Sequence, residues 1–180
     1  MLEREQILRA LAQVAEYLRE RAVEGELCLL GGTAMVLAFK ARASTKDVDA
    51  VFEPTALVRE AAAIVEQEQA LPPGWLNDAA KGFLSARHDS VVGDLPQFEG
   101  LRVTAPTAEY MLAMKCMASR IGVADSDPSD VADIRFLVRH LGLATPADAL
   151  AVVAQYYPPK QVPARAGYLL EEIFAEGESS

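Results

Sequence analysis

The sequence predicts an α/β fold in which a small mixed sheet is flanked by helices and followed by a helical part. Three observations predict it. Apolar residues recur at helical spacing near the start of the chain, two strand-like segments lie on either side of a Gly-Gly pair, and helical patterns with capping residues fill the last third. We expect residues 1–106 to form the α/β core and residues 107–180 to form helices packed on it as one compact unit.

The first half of the chain is expected to alternate helices with strands. Apolar residues from Ile7 to Leu18 repeat at helical spacing, and Gly25 is expected to end this helix. Acidic and apolar residues alternate from Asp47 to Phe52, which is typical of a strand with one polar face. The expected helices span residues 2–23, 32–40 and 54–69, and the expected strands span residues 27–30 and 47–52.

The second half begins after a Pro-Pro-Gly break with the single tryptophan, Trp75, in a segment expected to be a short helix over residues 75–83. We expect its indole to anchor this segment in the core rather than to stack on a base. Thr107 suits the N-cap of a helix that ends at Gly122, and Pro128 suits the first turn of the next helix. Further strands are expected over residues 90–93 and 101–104, and further helices from residues 145 and 165.

Composition restricts the setting and the partners. About half of the 180 residues are apolar (51%), so the chain can bury a substantial core, and its net charge of −9 repels phosphate backbones at long range. A nucleic-acid substrate would therefore need a local binding patch. Cys28 and Cys116 fit no metal-ligand spacing and are expected to be buried free thiols. The charged N-terminus and the lack of an apolar run of about 20 residues predict a cytoplasmic protein with no membrane partner.

The residues from 29 to 52 carry most of the chemistry. Asp47 and Asp49 are two apart on an expected strand, so both carboxylates should leave the same face. Two carboxylates held this close repel each other unless a cation lies between them, and oxygen ligands suit Mg²⁺ or Mn²⁺. Gly31 and Gly32 allow a positive φ and a close approach to the backbone, where the N–H groups of the next helix can bind an anion. Together these features predict a site for a metal-bound nucleotide.

This arrangement of Gly-Gly, a short helix and Asp-Val-Asp resembles the signature of the DNA polymerase β-like nucleotidyltransferase superfamily. The segment Arg-Ala-Ser-Thr-Lys-Asp-Val-Asp at residues 42–49 is similar to the minimal nucleotidyltransferases of abortive-infection toxin–antitoxin systems and their uncharacterised relatives. The resemblance implies a nucleotidyltransferase fold and Mg²⁺-dependent transfer of a nucleotidyl group from a nucleoside triphosphate to an acceptor. In related toxins the acceptor is RNA, and the partner is a cognate antitoxin.

The resemblance also assigns roles to individual residues. It implies that Asp47 and Asp49 bind the metal and are catalytic together with Lys115 and Asp130, and that Asp133 is a further candidate. Lys115 lies in an Ala-Met-Lys-x-x-Ala-x-Arg pattern whose arginine, Arg120, is another candidate. The residues that the resemblance implies for nucleotide binding are Gly31, Gly32, Thr33, Arg42, Ser44 and Thr45.

Several alternatives stay open at the level of sequence. The two aspartates could be solvated residues on an edge strand, Asp130 and Asp133 could complement a helix dipole, and Lys115 could extend outward to solvent. The later strand Leu101–Thr104 lacks the third carboxylate that the wider superfamily often has there. The chain could therefore be a nucleotide-binding or regulatory module without turnover, or the partner-bound half of a toxin–antitoxin pair.

Overall fold

The computed structural model describes residues 1–119 and 128–178, and the described residues contain seven α-helices, a five-stranded mixed sheet and a two-stranded sheet. The chain divides into two compact units, of which the first comprises Met1–Gly82 and Ser90–Pro106 and the second comprises Phe83–Asp89 and Thr107–Ser180. The expected division after residue 106 had assigned residues 83–89 to the first part, whereas the structure groups them with the second.

The first unit contains three of the described helices and the seven described strands. The helices are α1 (Arg4–Glu20), α2 (Gly31–Leu37) and α3 (Thr55–Glu68). The strands are β1 (Leu2–Glu3), β2 (Gly25–Leu29), β3 (Ser44–Thr45), β4 (Val48–Glu53), β5 (Leu76–Asn77), β6 (Ser90–Val91) and β7 (Leu101–Pro106). A 3₁₀ helix over Ala79–Phe83 follows β5.

The main sheet has the strand order β5-β4-β2-β7-β6. The central strand β2 is antiparallel to β4 and parallel to β7, while β4 is parallel to β5 and β6 is antiparallel to β7. Leu29 at the end of β2 pairs with Ala50 near the start of β4. The turn that follows β2 therefore lies at the same end of the sheet as the residues that open β4.

The two faces of the sheet differ in character. One face is apolar and buried, with Val48, Ala50 and Phe52 of β4 beside Leu27 and Leu29 of β2. Helix α1 packs on this face, and α1 and α3 bury the apolar residues that their helical periodicity predicted. Because strand residues alternate between faces, Asp49 and its neighbours two residues apart leave the opposite face.

Two predictions of local structure were wrong. Helix α1 ends at Glu20, and Gly25 is the first residue of β2, where an added β-carbon would lie 2.7 Å from Cδ1 of Leu18. Gly25 is thus needed because the helix approaches the strand closely there. The segment over residues 75–83, which was expected to be a helix, begins instead with β5. This strand forms because Val48 donates its N–H to the carbonyl of Trp75 (2.6 Å) and β4 pairs with β5.

Trp75 anchors this segment in the core of the first unit, as the sequence predicted. Its side chain is 1% exposed, and its indole Nε1–H donates to the carbonyl of Ala62 on α3 (3.0 Å). A buried indole needs such an acceptor for its N–H group. The contact ties β5 to α3 and so fixes the edge of the sheet next to β4.

The second unit contains four described helices: α4 (Ala108–Ala118), α5 (Pro128–His140), α6 (Pro146–Ala154) and α7 (Ala164–Glu178). Thr107 caps α4 as predicted, because its side chain accepts a hydrogen bond from the N–H of Tyr110. The predicted end of this helix at Gly122 lies outside the described residues. No helix in residues 1–119 or 128–178 has the length and apolar character to cross a bilayer.

Aromatic residues explain why residues 83–89 belong to the second unit. The hydroxyl of Tyr110 accepts the N–H of Ser85 (2.9 Å), and the hydroxyl of Tyr156 donates to Asp89 (2.9 Å). The rings of Tyr110 and Tyr156 stack with their centroids 4.9 Å apart. Tyr110 belongs to α4 and Tyr156 follows the end of α6, so the two side chains hold the segment against the helices.

Candidate functional site

Asp47 and Asp49 lie at the start of β4. Val48 and Ala50 are buried in the apolar face, whereas both aspartates are half-exposed. The alternation of the strand therefore directs the two carboxylates to the face opposite the core. Asp47 directly precedes the first paired residue of β4, so the acidic pair is placed at the end of the sheet where β2 passes into α2.

Gly31 brings the turn between β2 and α2 against Asp49. Its φ of +51° lies in the left-handed region that favours glycine, and a β-carbon added to it would lie 2.8 Å from Oδ2 of Asp49. The preceding residue, Leu30, donates its N–H to the carbonyl of Asp49 (2.8 Å). The glycine is therefore needed both for the backbone conformation and for the close approach of the carboxylate.

A cation and a hydroxyl flank Gly32. A β-carbon added there would lie 2.5 Å from Oγ1 of Thr45 and 3.3 Å from Nη1 of Arg42. Thr45 is buried in β3, which pairs with β1. Ser44, which the sequence had grouped with Arg42 and Thr45, is half-exposed and directly precedes Thr45 on this strand.

The side chain of Thr33 supports the site and does not line it. Thr33 is fully buried, and its hydroxyl donates to the carbonyl of Asp47 (2.9 Å). The predicted role of Thr33 in the phosphate-binding turn stays a prediction, and it falls to the backbone because the side-chain hydroxyl binds Asp47. The hydrogen bond joins the first turn of α2 to the residue that opens β4, and so helps to fix Asp47.

Asn77 contacts the acidic pair, a contact that the sequence pattern did not predict. Its amide nitrogen donates to Oδ2 of Asp47 (3.0 Å), while its carbonyl oxygen accepts the N–H of Ala79 (3.0 Å). Asn77 is also the partner of Asp49 in the parallel pairing of β5 with β4. A strand of two residues is too short for alternation to reveal it, so the sequence carried no clear signal for this contact.

The rest of this sheet face carries few acidic groups near the aspartates. Strand β7 contributes Arg102 and Thr104 to the same face, in register with Glu26 and Cys28 of β2. Within the parts of the chain that the structure describes, no three His, Cys, Asp or Glu side chains form a group able to hold a metal ion. In the described residues of the first unit, Asp47 and Asp49 are the carboxylates placed beside the glycine turn.

Lys115 forms an ion-pair cluster inside the second unit. Its Nζ lies 2.6 Å from Oδ1 of Asp130 and 2.7 Å from Oδ2 of Asp133, which joins α4 to α5. The side chains of Lys115 and Asp133 are 10% and 2% exposed, whereas that of Asp130 is 47% exposed. Lys115 therefore does not extend outward to solvent. Arg120, the other candidate on this part of the chain, lies outside the described residues.

The two cysteines are free thiols in different environments. Cys116 is fully buried in α4, and desolvation raises the pKa of its thiol to about 12. Cys28 is half-buried on the polar sheet face, where desolvation raises the pKa of its thiol and a hydrogen bond with Thr104 partly offsets the effect. Cys28 is consequently the more accessible of the two.

Comparison with known proteins found no match to a family model, to a curated protein or to a solved structure.

The Gly31 turn yields a first prediction. Gly31→Ala should lower the free energy of unfolding by about 1–3 kcal/mol, because a left-handed alanine is strained and its β-carbon crowds Asp49. Urea denaturation measures this change. Gly82→Ala is the matched control, since an added β-carbon there meets no atom within 4 Å. Equal effects of the two substitutions would contradict the close approach of Asp49 to the turn.

The Lys115 cluster yields a second prediction. Lys115→Met should destabilise the protein by about 3–5 kcal/mol, because it removes the cation from a buried carboxylate. The double variant Lys115→Met/Asp133→Leu should recover much of this loss, since an apolar pair replaces the buried ions. Lys81→Met, which removes an exposed partner of Asp78, should change the urea midpoint little. A small effect at Lys115 with no recovery in the double variant would show that the cluster is not structural.

Proposed function

We propose that this chain is a metal-dependent nucleotidyltransferase with the fold of the DNA polymerase β-like superfamily. One observation carries the proposal: Asp47 and Asp49 leave the polar face of the sheet beside a glycine turn, and the carboxylate of Asp49 lies against Gly31. The order of strand, glycine turn, short helix and acidic strand supports the same assignment. The sequence motif and the geometry thus favour one site for a metal-bound triphosphate.

The residues at this site fit a hard divalent cation. Mg²⁺ takes oxygen ligands, keeps several waters and commonly binds through one or two carboxylates together with substrate phosphates. Asp47 and Asp49 offer such carboxylates, and the amide of Asn77 holds Asp47 through Oδ2. When bound, the ion would neutralise the triphosphate and polarise the phosphoryl group that is transferred.

Arg42 and the glycine turn are the proposed phosphate contacts. The guanidinium of Arg42 lies beside Gly32, and Gly32 belongs to the first turn of α2, where backbone N–H groups are also available as donors. A guanidinium can donate two parallel hydrogen bonds to phosphate oxygens. Phosphates held here would lie next to Asp49, so the turn and the carboxylates would act on the same triphosphate.

The proposed reaction is a single displacement at the α-phosphorus. The acceptor hydroxyl oxygen forms the new P–O bond, the bond to the pyrophosphate oxygen breaks, and the hydroxyl proton is released. Attacking and leaving oxygens lie roughly in line in such transfers. The contribution of this chain is to orient the triphosphate through Asp47, Asp49 and the glycine turn.

Roles for the remaining candidates rest on the resemblance alone. Lys115, Asp130 and Asp133 form the ion-pair cluster of the second unit, and we propose no step for them. RNA as the acceptor, and a partner protein as in a toxin–antitoxin pair, are implied in the same way. The net charge of −9 gives RNA no long-range attraction, so an RNA acceptor would need a local contact surface.

A nucleotide-binding module without turnover is the second candidate function. Its specific support is β7, which presents Arg102 and Thr104 on the polar face. Members of the superfamily that the sequence resembles often carry a third carboxylate on this strand. Two carboxylates can hold a metal-bound nucleotide, whereas a two-metal displacement usually needs more ligands. Binding with no transfer would therefore favour this module.

Asp49→Asn tests the proposed function. Isothermal titration with each nucleoside triphosphate should show Mg²⁺-dependent binding by the natural chain and an affinity at least about tenfold lower in the variant, because one metal ligand loses its charge. Asp78→Asn is the matched control: it makes the same change of charge one residue after Asn77, where the carboxylate pairs with Arg59 and Lys81. Equal losses in both variants, or binding that needs no metal, would overturn the proposal.

The same proteins separate transfer from binding. Each is incubated with Mg²⁺, total RNA and one labelled nucleoside triphosphate. Labelled RNA produced by the natural chain and by Asp78→Asn, but not by Asp49→Asn, indicates the enzyme. Mg²⁺-dependent nucleotide binding with no label on RNA would favour the binding module or an acceptor of another class.

A further inference from the structure

A groove of about 250 Å³ opens on the face of the main sheet that carries Asp49, and every residue that lines it belongs to the first unit. It consists of two levels, and each level contains one residue from each of the neighbouring strands β4, β2 and β7. The level nearer Asp49 contains Val51, Cys28 and Thr104, and the outer level beyond it contains Glu53, Glu26 and Arg102. Ser90 of β6, at the edge of the sheet, and Val92 directly after this strand complete one side.

The groove and the glycine turn lie on opposite sides of Asp49 along the strands. Val51 follows Asp49 by two residues on the same face of β4, which corresponds to about 7 Å. Gly31 touches Asp49 from the other direction, where β2 ends and α2 begins. A group bound in the groove would therefore approach Asp49 from the side away from the turn.

The charged groups that line the groove are two carboxylates, of Glu26 and Glu53, and one guanidinium, of Arg102, so the lining is weakly acidic. Arg102 lies 3.6 Å from Glu26 across the outer level. The carboxylate of Glu53 accepts hydrogen bonds from the N–H and the hydroxyl of Thr55, both at 3.1 Å. The groove consequently offers donors and acceptors at its rim, and its excess of carboxylates disfavours a polyphosphate.

Size and lining indicate the class of occupant. The volume is slightly below the roughly 300–1,000 Å³ that is usual for drug-sized ligands, so one ring system with a small substituent would fill the groove. Val51 and the thiol of Cys28 provide an apolar floor for the face of a ring. Arg102, Glu26 and Thr104 provide donors and acceptors of the kind that recognise the edge of a nucleobase.

We infer that this groove binds the acceptor of the transfer as a single uncharged nucleoside unit. The inference rests on the proposed function, because it uses the position of the triphosphate. If the pyrophosphate is held at the glycine turn and Arg42, the attacking hydroxyl must arrive from the opposite side of the α-phosphorus. The groove lies on that side of Asp49, so the sugar of a nucleoside bound there would present its hydroxyl to the phosphorus.

Cys28 supplies a direct test in the natural chain. Alkylation of its thiol by iodoacetamide at mildly alkaline pH is followed by mass spectrometry, while the fully buried Cys116 reports any loss of structure. Adenosine, cytidine or uridine at ten times its dissociation constant should slow the reaction of Cys28 about tenfold, because roughly one site in eleven stays empty. Mg²⁺ with inorganic tripolyphosphate should leave the rate unchanged.

Arg102→Gln tests the lining of the groove. In this variant a nucleoside should protect Cys28 from alkylation much less than in the natural chain. The Mg²⁺-dependent affinity of the variant for nucleoside triphosphates should stay the same. Arg59→Gln removes another exposed arginine, paired with Asp78, and should keep both properties. Equal protection in the two variants would overturn the assignment of Arg102 to the nucleoside site.

Other results would overturn the inference and are distinct from failure of the proposed function. Nucleosides that leave the alkylation rate of Cys28 unchanged would show that the groove does not bind them. Cys28 could instead be protected from alkylation only when Mg²⁺ and a nucleoside triphosphate are both present, with no protection in Asp49→Asn. That result would place the nucleoside of the triphosphate donor, and not the acceptor, in the groove. A lack of any Mg²⁺-dependent nucleotide binding would contradict the proposed function. It would leave the result of the nucleoside experiment unaffected, because that experiment needs no metal.

Discussion

The close approach of Asp49 to Gly31 is the constraint on which the candidate site depends. A carboxylate can lie against the start of α2 because the turn has no β-carbon and adopts a left-handed conformation. The hydrogen bond from Leu30 to the carbonyl of Asp49 fixes the strand at the same point. Backbone pairing and the glycine turn thus both help to position the carboxylate.

The surrounding residues hold the acidic pair from several directions. Thr33 binds the carbonyl of Asp47 from α2, and Asn77 binds its carboxylate from β5. The buried Trp75 in turn fixes β5 against α3. A binding site on regular elements with hydrogen-bonded support is more precise than a site on a loop, which is what a metal-bound triphosphate requires.

The sequence predicted the elements whose pattern is local and failed where distant partners decide the structure. The alternation from Asp47 to Phe52 predicted β4 and its polar face, and Thr107 predicted the start of α4. Asn77 could not be predicted because β5 exists only through pairing with β4. Gly25 was misread because its contact with Leu18 is what requires a glycine there. The hydrogen bond from Thr33 to the carbonyl of Asp47 could not be predicted because the two residues lie far apart in the chain.

A crystal structure with Mn²⁺ and a non-hydrolysable nucleoside triphosphate tests the central claim most directly, since anomalous scattering locates the metal. The account predicts a peak about 2.2 Å from carboxylate oxygens of Asp47 and Asp49, with the triphosphate at Gly31, Gly32 and Arg42. A metal ion bound elsewhere, or phosphates held away from the glycine turn while both aspartates contact only protein, would contradict it.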